Sequence, residues 1–433
     1  IPVRTALSGP AAGVVGAAYV AACAGHPNAI TLDMGGTSAD VALIRQSRVP
    51  TVFSREVGGF PIRMPMVDVE TVGAGGGSVA WIDRDGLLKV GPKSMGAEPG
   101  PACYGLGGTL PTVTDANLLL GRLSGHGLLG GSMKLDASRA AAAFDPITDT
   151  LGITTLRAAQ GVVEIVVANM VRAIRTISVE RGHDPRAYCL MPFGGAGPLH
   201  ARDVARSLGI QEILVPPAPG IICAHGLVVS DLLEDFVDSV RLEVNDDGMG
   251  EIKQRLETLV SSAQRWFDQE SILPGTRTMQ IRLDMRYVGQ NFELAVPLDT
   301  PDTAGPSVDV EQLRSRFFDV HETTYGYFNP DDPIEIMNIR LTASGRLFPL
   351  AENRRLQTSD TPPVPSRSRE VVFEDDVALE CPVFERNELL AGQQLTGPAV
   401  VDQLDATTVL FPGDRAEVDE AGTLLISIGE NTP

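Results

Sequence analysis

The sequence predicts an α/β fold, because short apolar strands alternate with amphipathic helices along its first half. Two apolar runs, residues 29–32 and 41–44, flank the reversal "DMGGTSAD" at residues 33–40, as expected for two strands joined by a turn. The next predicted elements are a helix at 156–181, a strand at 188–191, a helix at 200–208 and a strand at 212–215. This order of elements is typical of an α/β fold.

The helix at 156–181 has the clearest pattern. Its apolar residues recur at helical spacing and define one face: Ala159, Val163, Val166, Met170, Ile174 and Ile177. The other side carries charges: Arg157, Glu164, Arg172 and Arg175. We therefore expect the apolar face to lie in the core and the charged face to meet solvent.

Composition changes after about residue 240, which suggests three domains. We predict a first α/β domain over 1–240 and an α+β region over 241–360, with a helix at 250–269 and alternating strands at 279–297. The Pro- and Ser-rich stretch "TPPVPSRSR", near 361–369, is typical of a linker. The short strands and turns beyond it predict a small C-terminal β domain over 361–433.

Bulk properties exclude several classes of function. The chain has 433 residues and a net charge of −20, which opposes binding to a nucleic-acid backbone. Its five cysteines are scattered without a C-x-x-C pair, so we expect reduced, buried thiols and a cytoplasmic protein. No apolar run reaches the roughly 18 residues of a membrane span.

The reversal at 33–40 carries the chemistry of a phosphate site. Close approach to phosphate oxygens needs residues without a Cβ, and Gly35-Gly36 supplies them. The hydroxyl groups of Thr37 and Ser38 can donate to the same oxygens. The flanking carboxylates, Asp33 and Asp40, could hold Mg²⁺ directly or through water. A plain hairpin turn explains the same residues, so this motif alone leaves both interpretations open.

Two other glycine clusters could also serve a ligand. In "FGGAGPLH" (193–200), glycines 194, 195 and 197 lead from a strand into a helix whose free N–H groups suit a nucleotide. Close strand–helix packing explains Gly194, Gly195 and Gly197 equally well, and His200 suits a general base, a metal ligand or a structural role. "GAGGGS" (73–78) is better explained as a hinge or loop. No Walker A motif or G-x-S-x-G elbow occurs.

Taken together, several stretches resemble the hydantoinase A / 5-oxoprolinase family, which includes β-type subunits of acetone and acetophenone carboxylases. They occur in family order along nearly the whole chain: "SGPAAGVVGA" (8–17), "DMGGTSADVALI" (33–44), "VETVGAGGGSVAWID" (69–83), "GPKSMGAEPGPACYGLGGTLPTVTDANLLLGRL" (91–123), "PFGGAGPLHA" (192–201), "PPAPGIICAHGLVVSDL" (216–232), "RYVGQNFEL" (286–294) and "GPAVVDQLDATTVLFPG" (397–413).

The resemblance implies an actin-like ATPase fold of the sugar kinase, Hsp70 and actin type, in which two lobes clamp ATP. Residues 33–40 would form the second phosphate loop, and residues 194–197 would lie near the adenosine. The family has a first phosphate hairpin of similar D-x-G-G-T type, and no copy of it precedes the D-x-G-G-T stretch at 33–37 in this sequence. We therefore expect the N-terminal lobe of a family member to be missing here.

The resemblance also implies a reaction and a partner. The family uses ATP to phosphorylate an amide or enolate oxygen, which prepares a cyclic amide for ring opening. Gly35, Gly36, Thr37 and Ser38 would hold the phosphates, with Asp33 and Asp40 as catalytic residues that orient Mg²⁺ or water. We expect a hetero-oligomer with a hydantoinase B-type subunit. Two alternatives stay open: the activating subunit of an ATP-dependent ketone carboxylase, and an inactive fragment that binds a partner.

Overall fold

The computed structural model describes residues 8–52, 55–57, 60–62, 66–125, 127–128, 130–298, 309–346, 356–374 and 376–429. The chain divides into two compact units. Unit 1 comprises Ile1–Val229 and Glu352–Pro433, and unit 2 comprises Ser230–Ala351.

Unit 1 contains six helices in its described part: α1 Ser8–Cys23, α2 Val113–Leu119, α3 Ala137–Leu151, α4 Thr155–Ile177, α5 Gly197–Leu208 and α6 Ile222–Val229. Unit 2 contains α7 Asp246–Gln269 and α8 Val310–Tyr325. The predicted apolar face of α4 is confirmed, because all six residues named for it are buried. The helix ends earlier than expected, at Ile177, and a 3₁₀ turn at Val179–Arg181 follows it.

The strands are, in chain order, β1 Ala29–Met34, β2 Ala39–Ile44, β3 Thr51–Val52, β4 Arg55–Val57, β5 Phe60–Ile62, β6 Met66–Val67, β7 Glu70–Val72, β8 Ser78–Ile82, β9 Leu88–Ser94, β10 Cys189–Phe193, β11 Glu212–Val215, β12 Leu232–Glu243, β13 Arg277–Tyr287, β14 Leu294–Leu298, β15 Ile334–Gly345, β16 Arg367–Val372, β17 Ala378–Glu385, β18 Gln394–Thr396, β19 Ala399–Asp402, β20 Thr407–Leu410, β21 Arg415–Val418 and β22 Leu424–Ser427.

The main sheet of unit 1 has eight strands in the order β18-β21-β22-β11-β10-β1-β2-β7. At its centre β1 pairs in parallel with β10 and antiparallel with β2. These central strands are buried because helices cover both faces: α4 and α5 share one apolar cluster with β1, and α1 and α6 lie over the other face. This arrangement fixes the ends of β1 and β10, where the two predicted glycine turns begin.

The C-terminal segment differs from the separate small β domain expected over 361–433. Strand β22 pairs with β11, with Glu212 opposite Ser427, and so extends the main sheet. Leu424 and Ile426 are buried in the same apolar cluster as Ile213. A strand added at this edge saturates the hydrogen-bonding groups of β11 and covers its apolar side chains. The segment therefore belongs to unit 1.

Unit 2 consists of an antiparallel sheet, in the order β12-β15-β13-β14, with helices α7 and α8. Its own apolar core includes Phe267 and Phe317, which are fully buried. The unit begins at Ser230, about ten residues before the expected boundary, because β12 pairs along its length with β15.

The five cysteines are all free thiols. Cys103, Cys189 and Cys381 are buried, whereas Cys223 is half-buried and Cys23 is exposed, so the expectation of buried thiols fails for the last two. In the part of the chain that the structure describes, every helix is too short or too polar to cross a bilayer.

Candidate functional site

The reversal between β1 and β2 is a tight turn whose four central residues are largely exposed. Asp33 and Asp40 lie opposite each other in the β1–β2 ladder, and Met34 lies opposite Ala39. Gly35 to Ser38 complete the turn, closed by a hydrogen bond from the Gly35 amide to the Ser38 carbonyl oxygen (3.1 Å). The local pairing is that of a hairpin, as the plain interpretation of the sequence required.

The glycine run at 75–77 packs directly on this turn, which the hinge-or-loop interpretation did not anticipate. The amides of Gly76 and Gly77 donate to the carbonyl oxygens of Gly35 (3.0 Å) and Gly36 (2.7 Å). A Cβ on Gly75 would lie 2.5 Å from the backbone of Thr37, closer than side chains approach. The run is glycine-rich because only a bare backbone fits against the turn.

These contacts occupy the carbonyl oxygens of Gly35 and Gly36 and leave three amides of the turn without an acceptor. Within the described residues, the amides of Gly36, Thr37 and Ser38 donate to no acceptor. A Cβ on Gly35 or Gly36 would meet nothing within 4 Å. Uncommitted amides on a bare, exposed backbone are the groups that bind phosphate oxygens in glycine-rich loops.

A cavity of about 740 Å³ in unit 1 lies beside the turn. Gly35, Gly36 and Gly76 line it together with Gly195 and His200 from the second glycine cluster. The two clusters, far apart in sequence, therefore share one cavity whose volume suits a nucleotide-sized ligand. Thr37 and Ser38 do not line it, nor do Asp33, Asp40, Gly194 and Gly197.

The second cluster joins β10 to α5, and its three glycines differ in role. Gly195 is exposed and lines the cavity. Gly194 has a φ of +76°, and a Cβ there would lie 2.5 Å from Asp33 Oδ1. Gly197 is buried, and a Cβ there would lie 2.9 Å from the Leu32 carbonyl oxygen. Gly194 and Gly197 thus allow close packing, and Gly195 is the one placed to meet a ligand.

Asp33 and Asp40 project from neighbouring strands on the same side of the ladder, because directly paired residues share a face. Burial raises the pKa of the Asp33 carboxyl to about 6; the Cys223 thiol hydrogen bond lowers it, and the charge of Asp40 raises it. Cys223 Sγ donates to Asp33 Oδ2 (3.4 Å), and Thr71 Oγ1 donates to Asp40 Oδ1 (2.5 Å).

His200 is fully buried in α5 and contacts Asn117 of α2, with 3.2 Å between His200 Nε2 and Asn117 Nδ2. Burial lowers the pKa of His200 to about 4, with the neighbouring Arg122 charge adding to the effect and Asp203 opposing it. The ring is therefore neutral at physiological pH. His200 Nδ1 and Asn117 Oδ1, both buried beside the cavity, have no hydrogen-bond partner among the described residues.

One wall of the cavity comes from the C-terminal segment, which the sequence analysis assigned to a separate domain. This wall comprises residues 402–407 with Arg367, Glu385 and Asn387. Asp405 fixes it in place, since its Oδ2 accepts from the Gly220 amide (2.7 Å) and its Oδ1 from Gln403 Nε2 (2.6 Å). No local signal in the sequence predicts this wall, because it is held by the contact between Asp405 and Gly220, which lie 185 positions apart.

Comparison with known proteins accords with this architecture. Residues 1–236 match the family model described as "Hydantoinase/oxoprolinase", and residues 243–426 match "Hydantoinase/oxoprolinase C-terminal domain". The chain belongs to the hydantoinase/oxoprolinase family. Its fold is the α/β, actin-like ATPase type that the resemblance implies, with the C-terminal strands built into unit 1.

Two curated relatives and one solved structure illustrate the similarity. Caprolactamase subunit alpha of Pseudomonas jessenii is 35% identical over 98% of this chain and 61% of its own length. Acetophenone carboxylase gamma subunit of Aromatoleum aromaticum is 31% identical over 99% of this chain and 60% of its own length. The crystal structure of the ATP-dependent caprolactamase from Pseudomonas jessenii superposes with a TM-score of 0.79 at 34% identity, covering 98% of this chain and 61% of that chain.

The chain thus spans about three fifths of the length of these relatives. The carboxylase relative is a gamma subunit, where the resemblance led us to expect β-type subunits.

The residues at the turn fit a phosphate-bearing ligand, because the free amide of Gly36 and the bare backbone of Gly35 and Gly76 border a cavity of suitable size. Within the described residues no cluster of three or more His, Cys, Asp or Glu side chains could hold a metal ion. Asp33 and Asp40 fit Mg²⁺ only if phosphate and water supply the other ligands, since Mg²⁺ commonly takes one or two carboxylates and completes its coordination shell in that way.

Proposed function

We propose that this chain is the nucleotide-binding part of an ATP-dependent subunit that activates a cyclic amide for ring opening. The observation that carries the proposal is the shared cavity, which is lined both by Gly36, whose amide is uncommitted, and by Gly195, just before α5. The family supports the same class, since a relative that covers nearly all of this chain is a caprolactamase subunit.

The chain's own residues have defined tasks in this proposal. The amides of Gly36, Thr37 and Ser38 would hold phosphate oxygens, because they have no acceptor within the described protein. Asp33 and Asp40 would hold Mg²⁺ or orient water at the edge of the turn. ATP, when bound, would supply a phosphoryl group to the amide or enolate oxygen and leave as ADP; for a cyclic amide this makes the carbonyl carbon a better electrophile for water. Positioning and charge neutralisation account for most catalysis of such transfers.

A second candidate is the activating subunit of an ATP-dependent ketone carboxylase. The observation that favours it is the acetophenone carboxylase gamma subunit, which matches 99% of this chain at 31% identity. Both candidates use the same nucleotide site and differ in the acceptor. ATP turnover measured with lactams, 5-oxoproline, hydantoin and aryl ketones, in the presence of a B-type partner subunit, would separate them. Stimulation by ketones and not by cyclic amides would contradict the first candidate.

The test of nucleotide binding is a calorimetric titration of ATP with Mg²⁺. We expect binding heat in the unaltered chain and none in Asp33→Ala, with both proteins folded by circular dichroism. Asp184→Ala is the matched control, because Asp184 is exposed, bonds Arg186 and lies outside the cavity. No heat from the folded, unaltered chain would instead favour a partner-binding fragment.

A further inference from the structure

A second cavity in unit 1, of about 830 Å³, lies between α4 and α5 and shares no lining residue with the first. We call it the arginine groove, because five arginines line it: Arg122, Arg157, Arg172, Arg175 and Arg206. Three of them belong to the charged face of α4 that the sequence predicts. Such a concentration of guanidinium groups is unexpected in a chain whose net charge is −20.

Acidic residues in the groove balance only three of these charges. Arg122 pairs with Asp203 (2.8 Å), Arg157 with Glu164 (3.1 Å) and Arg206 with Glu374 (2.7 Å). No other acidic residue lines the groove in the part of the chain that is described.

Arg172 and Arg175 keep their charge unpaired. Arg172 donates to the neutral amide of Asn169 (3.3 Å), and Arg175 has no acidic partner within the described residues. Both are exposed and lie one helical turn apart on α4, so their guanidinium groups project on the same side. The groove therefore carries two surplus positive charges.

Two buried donors in the groove also lack acceptors. Arg122 Nε and Gln160 Nε2 have no hydrogen-bond partner among the described residues, although the two residues are only 3% and 5% exposed. An unsatisfied buried donor costs about 1–3 kcal/mol, so native proteins rarely keep one without a ligand or water. Both atoms are donors, and what the groove lacks is therefore an acceptor.

From these observations we infer that the arginine groove binds a small polyanion, a ligand carrying two or more phosphate or carboxylate groups. Two surplus guanidinium groups supply charge, and guanidinium matches the geometry of both anion types. The volume is that of a small-molecule site. Val163, Val167 and Phe411 provide an apolar floor, which lowers the local dielectric and strengthens the attraction. This inference is independent of the proposed nucleotide site.

The test titrates inorganic pyrophosphate, and separately citrate, into the chain at low ionic strength with EDTA present. We expect at least one of them to bind, with affinity that falls as salt rises. The double variant R172Q/R175Q should bind at least tenfold more weakly. R45Q/R186Q is the control, because it removes the same charge from exposed arginines that do not line the groove and should bind as the unaltered chain does. The tighter of the two probes identifies the anion class.

A second variant tests the two unsatisfied donors, Arg122 Nε and Gln160 Nε2, directly. Gln160→Glu places a carboxylate where the groove lacks an acceptor, within reach of Arg157, whose Nη1 lies 3.3 Å from Gln160 Oε1. It should fold and bind the probe at least tenfold more weakly, because the carboxylate occupies the site. Equal affinity in all these variants, or no binding of either probe at millimolar concentration, would overturn the inference. Loss of binding only in Gly36→Val would do the same, since it would place the anion at the turn.

Discussion

Asp33 and Asp115 are two carboxylates of unit 1 that differ in how far the protein satisfies them. Asp115 is fully buried and accepts from the amides of Ala102, Cys103 and Thr112 and from the Thr112 hydroxyl. Asp33 accepts one hydrogen bond through its side chain, from a thiol, within the described residues. A carboxylate whose acceptor capacity is filled by the protein maintains the fold, whereas one left partly unfilled beside an exposed turn is available to a ligand.

The difference extends to the backbone around each residue. Thr112 and Asp115 form a reciprocal capping box at the start of α2, in which the side chain of each residue accepts from the backbone amide of the other. The backbone amides at this helix start therefore have acceptors within the protein. In the turn after Asp33, by contrast, the carbonyl oxygens of Gly35 and Gly36 are bonded, and the amides of Gly36, Thr37 and Ser38 have no acceptor among the described residues. The predictions below test this contrast, in order of decreasing effect on the free energy of unfolding of unit 1.

The chain offers a way to observe unit 1 alone. It has two tryptophans, Trp81 in unit 1 and Trp266 in unit 2. In a Trp266→Phe background, the fluorescence of Trp81 reports unfolding of unit 1 in urea, which matters because two units need not unfold together.

The largest effect is expected for Asp115→Ala. It leaves three amides and one hydroxyl without their acceptor in a buried site, at about 1–3 kcal/mol each, so we expect a loss of at least about 4 kcal/mol. Urea unfolding of the Trp266→Phe background measures it. A midpoint unchanged from that of the parent would show that Asp115 is not the structural carboxylate described here.

A somewhat smaller effect should come from the neutral, buried His200. The pKa of His200 is lowered to about 4 in the folded chain, against 6.5 for an exposed histidine. Between these two values the unfolded chain binds a proton at His200 and the folded chain does not. Stability is therefore complete above pH 6.5 and is lost as pH falls, by about 2 kcal/mol at pH 5. His200→Gln should lack this part of the pH dependence. If the free energy of unfolding fell equally with pH in the parent and in His200→Gln, His200 would not be the buried neutral histidine described here.

Among the glycines, Gly75→Ala should cost about 1–3 kcal/mol, because its methyl group would meet the Thr37 backbone at 2.5 Å. Gly35→Ala should change stability by less than about 0.5 kcal/mol, since its methyl group meets nothing within 4 Å. Urea unfolding of the two variants side by side checks the prediction. Equal costs would mean that the glycine run does not support the turn.

The smallest effect on stability is expected for Asp33→Asn, at most about 1 kcal/mol. The substitution removes a partly buried charge next to Asp40, and an amide oxygen can still accept from the Cys223 thiol. Its effect on ATP affinity should nevertheless be large, which urea unfolding and calorimetry together would show. A variant that loses several kcal/mol of stability would instead class Asp33 with Asp115.

Much of this site is local and therefore readable from the sequence. The two apolar runs and Gly35-Gly36 predict the β1–β2 turn, because turn chemistry and strand alternation involve neighbouring residues only. The charged face of α4 follows from helical spacing in the same way. A capping role for Asp115 could also be read from the sequence, although Asp115 is the third residue of α2 and Thr112 is the N-cap.

Long-range pairing accounts for what the sequence did not predict. That Gly76 and Gly77 bond the turn, and that residues 402–407 form a wall of the cavity, depends on partners distant in the chain. Likewise, the spacing of the arginines on α4 does not predict that Phe411 forms part of the floor of the arginine groove. A Pro- and Ser-rich stretch suggested a domain boundary, and four of the strands after it, β16, β17, β19 and β20, do form a sheet of their own. The other three, β18, β21 and β22, join the main sheet.

The most direct test of the central claim is ATP binding by Gly36→Val. A side chain there meets no protein atom within 4 Å of its Cβ, so the variant should fold and keep its melting temperature within a few degrees. The titration is made in the R172Q/R175Q background, which removes anion binding in the arginine groove, and Gly250→Val in α7 serves as control. We predict that ATP affinity falls at least 100-fold in Gly36→Val and is unchanged in the control. Equal affinity in both folded variants would contradict the assignment of the turn as the phosphate site.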